Sequence, residues 1–369
     1  MTVAMQGASC PVPYRETERI LLGHGSGGQL SAALLRDVIG PALGAGAPAP
    51  IVDDAAVIDL PNCQAPHSIA QRDPADGGQR FGSLVFSTDA FVVNPRQFPG
   101  GTIGDLAVNG TINDLAMMGG RPLALSLAYI IEEGLPLDEV RWVTEAVGRA
   151  AAAAGVPVVT GDTKVVGRGA ADGLYIVTSG VGVTGVVRPA AALARVGDAV
   201  LLSGPIASHG MAVMGAREDL GFDSEIFSDS RPLHHLVAEL LEAAPGTHVL
   251  RDPTRGGLAS ALNEIATTAG VGIELDEQTI PVSEPVRAAC ELLGLDPLHV
   301  ANEGVLVAFV PAAQAPAALA AMRARHDGAA AVRIGDVVAD HPTRVTMRTL
   351  VGSYRIVDTL IGEQLPRIC

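Results

Sequence analysis

Asp252-Pro253-Thr254-Arg255-Gly256-Gly257 opens directly onto a helical stretch, Leu258 to Thr268, which runs on to a strand at Gly272 to Leu275. An aspartate, a glycine turn, a helix and then a strand is the cadence of an α/β fold. Asp252 can cap that helix, or it can hold a cation from a strand end. The same alternation continues on both sides. Ala199 to Leu202, Gly304 to Val310 and Ala331 to Val338 have the texture of strands, and Pro232 to Glu242, Pro285 to Leu293 and Ala313 to Arg325 that of helices. Upstream, Gln29 to Val38, Gly101 to Met118 and Asp138 to Ala154 are predicted helices, the last ended by Gly155. Strands are predicted over Ile51 to Leu60, from Leu84 to near Asp89, over Val156 to Val166 and over Leu174 to Val183.

The texture changes after Arg188-Pro189, which puts a domain boundary near Val187 to Ala192. The expected organisation is a lead-in over 1–19, a first domain over 20–188, a second over 189–355 and a tail over 356–369. Pro61 to Gln79, polar and rich in Pro, Gly and Gln, is a long surface loop. The chain has 369 residues, 48% hydrophobic but only 3% aromatic, so Ala, Val, Leu and Gly must build the interior. Its net charge of −15 argues against a nucleic-acid or anionic-membrane partner. The four cysteines form no CxxC and no zinc spacing, which points to a reducing compartment. No signal peptide or membrane-spanning run is visible, so a cytoplasmic protein is expected.

Gly23-His24-Gly25-Ser26-Gly27-Gly28 satisfies GxGxxG, and Asp53 and Asp54 lie near the distance at which a dinucleotide fold places its acidic residue. Yet only three apolar residues precede the loop, and Pro41, Pro48 and Pro50 crowd the approach to the next strand. A flexible loop whose exposed N–H groups close over phosphates is the plainer inference.

Asp53, Asp54, Asp89 and Asp252 stand in or at the ends of separate predicted strands or before a helix. Such carboxylates can converge on Mg²⁺, which takes hard oxygen ligands alongside substrate phosphates, although Asp89 and Asp252 are also ordinary turn or cap residues. In the helix Gly101 to Met118, Asp105, Asn109 and Asn113 share one face amid apolar residues, with Asp114 beside them. Buried amides need partners, either a ligand or neighbouring backbone. Gly161-Asp162-Thr163-Lys164 supplies close backbone approach and a positive charge for phosphate. Glu303 is a candidate general base and Arg255 a phosphate or aspartate partner.

The chain closes on Pro366-Arg367-Ile368-Cys369. A cysteine on a free end has no fold to support and can enter a pocket, accept a group and carry it elsewhere. Pro366 stiffens the approach, and Arg367 is expected to offset the terminal carboxylate, which would otherwise raise the thiol above its free pKa of about 8.5.

Together the glycine loop, Asp53-Asp54-Ala55-Ala56, Ser87-Thr88-Asp89, Phe98-Pro99-Gly100-Gly101, Asn113-Asp114-Leu115, Gly161 to Val166, Asp252 to Gly257 and the terminal Pro-Arg-Ile-Cys resemble the HypE family of hydrogenase maturation proteins. The likeness runs from about Ile20 to Cys369. It implies a two-domain aminoimidazole ribonucleotide synthetase-like α/β (α+β) fold, a homodimer formed through the first domain's sheet, and a flexible tail. It also implies ATP-dependent dehydration of a carbamoyl group, delivered to Cys369 by HypF, into a thiocyanate. The cyano group would pass to iron on a HypC–HypD complex and end as a ligand of [NiFe]-hydrogenase. On this likeness Cys369 is the carrier and Lys164 and Glu303 are catalytic. Gly25, Ser26, Gly27, Gly28, Asn109, Asn113, Asp114, Gly161, Asp162, Lys164 and Arg255 would bind ATP, and Asp53, Asp54, Asp89 and Asp252 would bind Mg²⁺. Competing readings are a small-molecule synthetase or kinase of the same superfamily, a non-catalytic thiol-presenting scaffold, and a nicotinamide enzyme.

Overall fold

The computed structural model describes residues 29–34, 36–37, 55–59, 83–185, 187–218, 226–360, 365 and 367–369. The lead-in over 1–19, the glycine loop with Gly25, Ser26, Gly27 and Gly28, both Asp53 and Asp54, and the loop at 61–79 lie outside the described residues. After α1 (Gln29–Leu34), a first sheet gathers β1 (Ala56–Asp59), β2 (Ser83–Phe91), β5 (Gly120–Glu132), β6 (Val158–Val166) and β7 (Leu174–Thr184) in the order β1-β2-β7-β5-β6. Only β5 and β6 run parallel; the other pairs are antiparallel. A two-strand ribbon of β3 (Gln97–Phe98) and β4 (Gly101–Thr102) leads into α2 (Ile103–Met117), and α3 (Leu137–Ala154) follows β5.

Strand β7 alternates strictly between buried and half-buried residues. That period of two seats one face on a core and turns the other outward. The inward face, with Phe91, Leu125 and Ile176, packs beneath α2 and α3. Strand β6 forms one edge, and Val159 and Val165 on it are 64% and 67% exposed.

The second sheet runs β14-β13-β10-β12-β8-β11-β9. Its strands are β8 (Asp198–Leu202), β9 (Val249–Arg251), β10 (Gly272–Asp276), β11 (Val307–Pro311), β12 (Val332–Val338), β13 (Val345–Arg348) and β14 (Tyr354–Val357), parallel only between β10 and β13. Strand β8 is buried throughout because both faces are covered. Helices α4 (Ser208–Arg217), α6 (Gly257–Ala269) and α7 (Glu284–Leu293) contribute to one core with Val200, Leu202 and Phe309. Helices α5 (His234–Ala243) and α8 (Ala315–Arg323) pack over Ala199, Leu201 and Ala308 on the other side. Strand β14 carries the sheet to Val357, past the expected end of the second domain at 355.

Helix α2 joins the two halves. Thr102 caps it, accepting from the Gly104 and Asp105 amides and donating to the Asp105 carboxylate at 2.7 Å. Asp105 is therefore a cap residue. Thirteen of the fifteen residues of α2 are buried, its first part in the first domain's core and Ala116 and Met117 in the second's. Asn113, wholly buried, donates to the Arg231 and Glu303 carbonyls at 3.1 and 3.2 Å and accepts from the Leu233 amide at 2.8 Å.

Replacing Asn113 with Ala strands those backbone groups away from water, and truncating a satisfied buried amide carries the full cost of the orphaned partners. We expect Asn113→Ala to lower stability by about 3 kcal/mol in urea unfolding. A loss below about 1 kcal/mol would show that the junction is held by apolar packing alone.

Candidate functional site

The C-terminal residues are docked rather than free. The Val92 amide donates to the Cys369 carbonyl at 3.0 Å and the Asn94 amide to the Arg367 carbonyl at 3.3 Å, so the arm adds a short antiparallel pairing beyond β2. Arg217 donates to both the Asn94 and Arg367 carbonyls at 2.7 Å. Arg367 donates to the Val92 carbonyl at 2.9 Å, pairs with Asp172 and lies over the Tyr175 ring. Ile368 and Cys369 are only 4% and 8% exposed and belong to the first domain's apolar core. Where the sequence points to a free, mobile end, the structure holds the arm in a groove that only the tertiary fold assembles.

The cation beside the sulfur is also a different one from that expected. Arg367 is engaged with Val92 and Asp172, whereas a guanidinium nitrogen of Arg255 lies 3.5 Å from Cys369 Sγ. Burial pushes the thiol up to about 12, with Arg255 opposing the rise and Glu303 and Asp89 adding to it. The Arg255 guanidinium is pushed up by the Cys369 sulfur, once that is a thiolate, and then by Asp89 and Glu303, against the opposing effect of burial. Gly256 and Gly257, at φ 76° and 63°, make the turn that carries Arg255 into α6. A side chain on Gly257 would also meet the Leu298 carbonyl at 2.5 Å.

Glu303 is 3% exposed, and its carboxyl is held well above the usual range by burial first, then by the negative charge of Asp252, Asp89 and Asp229. Arg255 acts in the opposite sense. Cys369, Arg255, Glu303, Asp89 and Asp252 therefore share one electrostatic neighbourhood between the two domains. Among the described residues no three His, Cys, Asp or Glu side chains form a cation site. Asp89 and Asp252, two of the four predicted aspartates, are among the groups gathered here.

The remaining predicted residues separate. Asn109 donates to Ser230 Oγ at 3.1 Å, while its own carbonyl oxygen is buried without a partner. Asn113 bonds backbone groups at the junction. Asp114 accepts from the Ser87 hydroxyl at 2.5 Å. Gly161 sits in the same cross-strand row as Asp89, through Thr178 and Leu127, three strand spacings or roughly 14 Å away. Asp162 and Lys164 pair with each other on the exposed β6 edge, Lys164 with 69% of its side chain exposed, outside the Cys369 cluster.

Three further residues organise the site. Asn302 accepts from the Ala207 amide at 2.7 Å and donates to the Pro253 carbonyl at 2.8 Å, holding the Asp252 loop against the start of α4. Asp229 accepts from the Glu303 and Gly304 amides at 3.1 and 2.9 Å. His209, wholly buried, bonds the Ile368 carbonyl. Asn302 stands in the Ala-Asn-Glu-Gly segment that flags Glu303; the other two carry no local signal.

The AIR synthase related protein, N-terminal domain, matches residues 52–184, and the AIR synthase related protein, C-terminal domain, matches residues 195–348. Carbamoyl dehydratase HypE of Cupriavidus necator is 52% identical over 353 residues, covering 95% of this chain and 95% of that protein. A crystal structure of hydrogenase maturation protein HypE in complex with ATP is similar with a TM-score of 0.75 and 43% identity, over 95% of this chain and 100% of the other. A crystal structure of a HypE–HypF complex aligns with a TM-score of 0.73 and 47% identity, over 75% of this chain and 90% of the other.

The docked thiol, at about 12, binds its proton more tightly than a free one at about 8.5. Docking is therefore fully supported below about pH 8.5 and weakens by up to about tenfold per unit as pH rises towards 12. The NMR shift of the Val92 amide should report this loss, and Cys369→Ser should flatten it. An equal pH dependence in both proteins would show that the sulfur does not control docking.

Proposed function

This chain belongs to the HypE family of carbamoyl dehydratases, and from that premise we propose that it converts an S-carbamoyl group on Cys369 into a thiocyanate, driven by ATP, during hydrogenase maturation. The observation that carries this reading is the docked terminal cysteine, its sulfur 3.5 Å from Arg255 in a pocket shared with Glu303. A sulfur at the last residue can leave this pocket, take up a carbamoyl group and return with only a short stretch of chain moving.

Once returned, the thiocarbamate –S–C(=O)–NH₂ must lose an oxygen that is a poor leaving group. Transfer of the γ-phosphoryl group of ATP to that oxygen, with release of ADP and of one N–H proton, makes it the imidate phosphate –S–C(=NH)–O–PO₃²⁻. Departure of phosphate with loss of the remaining N–H proton then leaves –S–C≡N, so that ADP and phosphate account for the water removed. Glu303 suits the proton-accepting role, because a carboxyl held above its usual range is a better base than an exposed one. Arg255 faces the sulfur and stabilises negative charge growing on the transferred group. Asn109, with its unpartnered carbonyl oxygen, is retained as an ATP contact.

Gly25, Ser26, Gly27 and Gly28 would bind the phosphates of ATP, and Gly161, Asp162 and Lys164 would contact the nucleotide from the β6 edge, away from the reacting carbamoyl group. Asp89 and Asp252, with Asp53 and Asp54, would hold Mg²⁺, which neutralises phosphate charge when bound. HypF supplies the carbamoyl group, and a HypC–HypD complex takes the cyano group to the iron of [NiFe]-hydrogenase. The setting is cytoplasmic; among the described residues no helix is long and apolar enough to cross a membrane. Two copies pair through the first sheet, where the outward β6 edge with Val159 and Val165, together with Ile58 and Phe86, leaves apolar surface that a dimer would cover.

Intact mass after incubation with HypF, carbamoyl phosphate and ATP should show a carbamoyl adduct on Cys369 that loses one water only when ATP is hydrolysed. Glu303→Gln should keep the adduct but slow water loss by about 10²–10⁴-fold, and Asp89→Asn should also keep the adduct while losing dehydration. ATP consumption with Cys369 unmodified would overturn the reading. Separately, the double change Val159→Asp with Val165→Asp should shift the protein from dimer to monomer in light scattering, and an unchanged mass would place the dimer elsewhere.

A further inference from the structure

His209 stands near the start of α4 with no exposed surface and with both ring nitrogens engaged. Nε2 lies 2.8 Å from the Ile368 carbonyl oxygen and Nδ1 2.9 Å from Ser228 Oγ. A carbonyl can only accept, so Nε2 carries a proton. The Ser228 oxygen accepts from the Ser230 amide at 3.1 Å, which leaves its hydroxyl proton free to be donated to Nδ1. The order of donation is then Ser230 amide, Ser228 hydroxyl, His209 ring, Ile368 carbonyl, with the ring neutral. Burial favours the neutral ring as well, with Asp229 and the Ile368 bond pulling the other way.

The surroundings fix this ring from the first domain's side. Phe98 meets it edge-on at 5.4 Å between centroids. The Ser228 amide donates to the Pro99 carbonyl at 2.8 Å. Gly100 holds φ 86°, and a side chain there would lie 2.7 Å from the Ser228 nitrogen. The Phe98-Pro99-Gly100-Gly101 segment thereby seats the 227–230 strap on which the ring depends. The side-chain bonds that Arg217, Arg255 and Arg367 make between the arm and the rest of the protein are only partly buried, so water can replace them when the arm leaves. The His209 bond joins two buried groups, and breaking it in place leaves a donor and an acceptor unmet.

We propose that His209 is the positioning residue that latches the docked C-terminal arm, setting where the Cys369 sulfur rests against Arg255 through its bond to the Ile368 carbonyl. The purpose of the latch rests on the carrier role proposed for Cys369; the latch itself does not.

Its test is alkylation of the reduced full-length protein by iodoacetamide, without ATP or carbamoyl donor, with the rate at Cys369 followed by peptide mass and buried Cys290 as the folding control. His209→Ala should accelerate labelling of Cys369 on the order of tenfold, the effect of losing a buried hydrogen bond. His209→Gln, whose amide nitrogen can donate in place of Nε2, should restore most of the protection, and Ser228→Ala should accelerate labelling a few-fold. An unchanged rate in His209→Ala with Cys290 still protected would overturn the latch, as would a Gln variant as fast as Ala. If His209→Ala does not fold, an unchanged rate in Ser228→Ala overturns it. Because no nucleotide is present, failure of the dehydratase reading leaves this result standing, and failure of the latch leaves the water-loss experiment standing.

Discussion

A helix buried on nearly all sides must find partners within the protein for the polar groups it carries, and α2 does so through Asn113 at the junction of the two domains while leaving the Asn109 carbonyl oxygen unmet. Its one fully buried amide pair, on Asn113, bonds three backbone groups that belong to the second domain. One of them is the amide of Leu233, at the start of α5, and another is the carbonyl of Glu303. The relative position of Glu303 and the first domain is therefore set by the same side chain that ties the domains together. Asn109, one turn earlier, faces the Ser230 hydroxyl in the strap that seats His209.

The site built on this junction is electrostatically lopsided. Asp89 comes from a strand of the first domain, Asp252 and Arg255 from a turn in the second, and Glu303 from the approach to β11. Burial first, and then neighbouring negative charges, raise the Glu303 carboxyl, and Arg255 is their counterweight. The thiol enters as a partner that burial keeps protonated when docked. In this arrangement Arg255 stays turned to sulfur.

Much of the architecture was legible from local pattern. The amphipathic alternation of β7, the buried run of β8 and the Gly155 stop of α3 are signals that period and turn chemistry carry directly. Strand β5, Gly120–Glu132, was not: its Pro122 sits at a break in register with β7, and its Leu-Ala-Ser texture has no strand signature. Helix α4 was missed because it starts after Ala207, which adopts φ 73°, and carries glycines that weaken the helical signal. At the site, charged residues in motifs were visible, whereas the arm's docking depends on backbone groups of Val92 and Asn94 that side-chain pattern cannot flag. Asn113 was visible as a buried amide, but a ligand and a neighbouring backbone look alike from the sequence.

The elevated thiol has a chemical meaning beyond the pocket. A cysteine reacts with oxidants, electrophiles and stray metal ions as its thiolate. At pH 7 a free thiol is a few per cent ionised, whereas one held near 12 is ionised on the order of one part in 10⁵. Docking therefore works as a reversible protecting group, in the synthetic chemist's sense. The Cys369 sulfur is masked by the fold while idle and is unmasked only when the arm comes out.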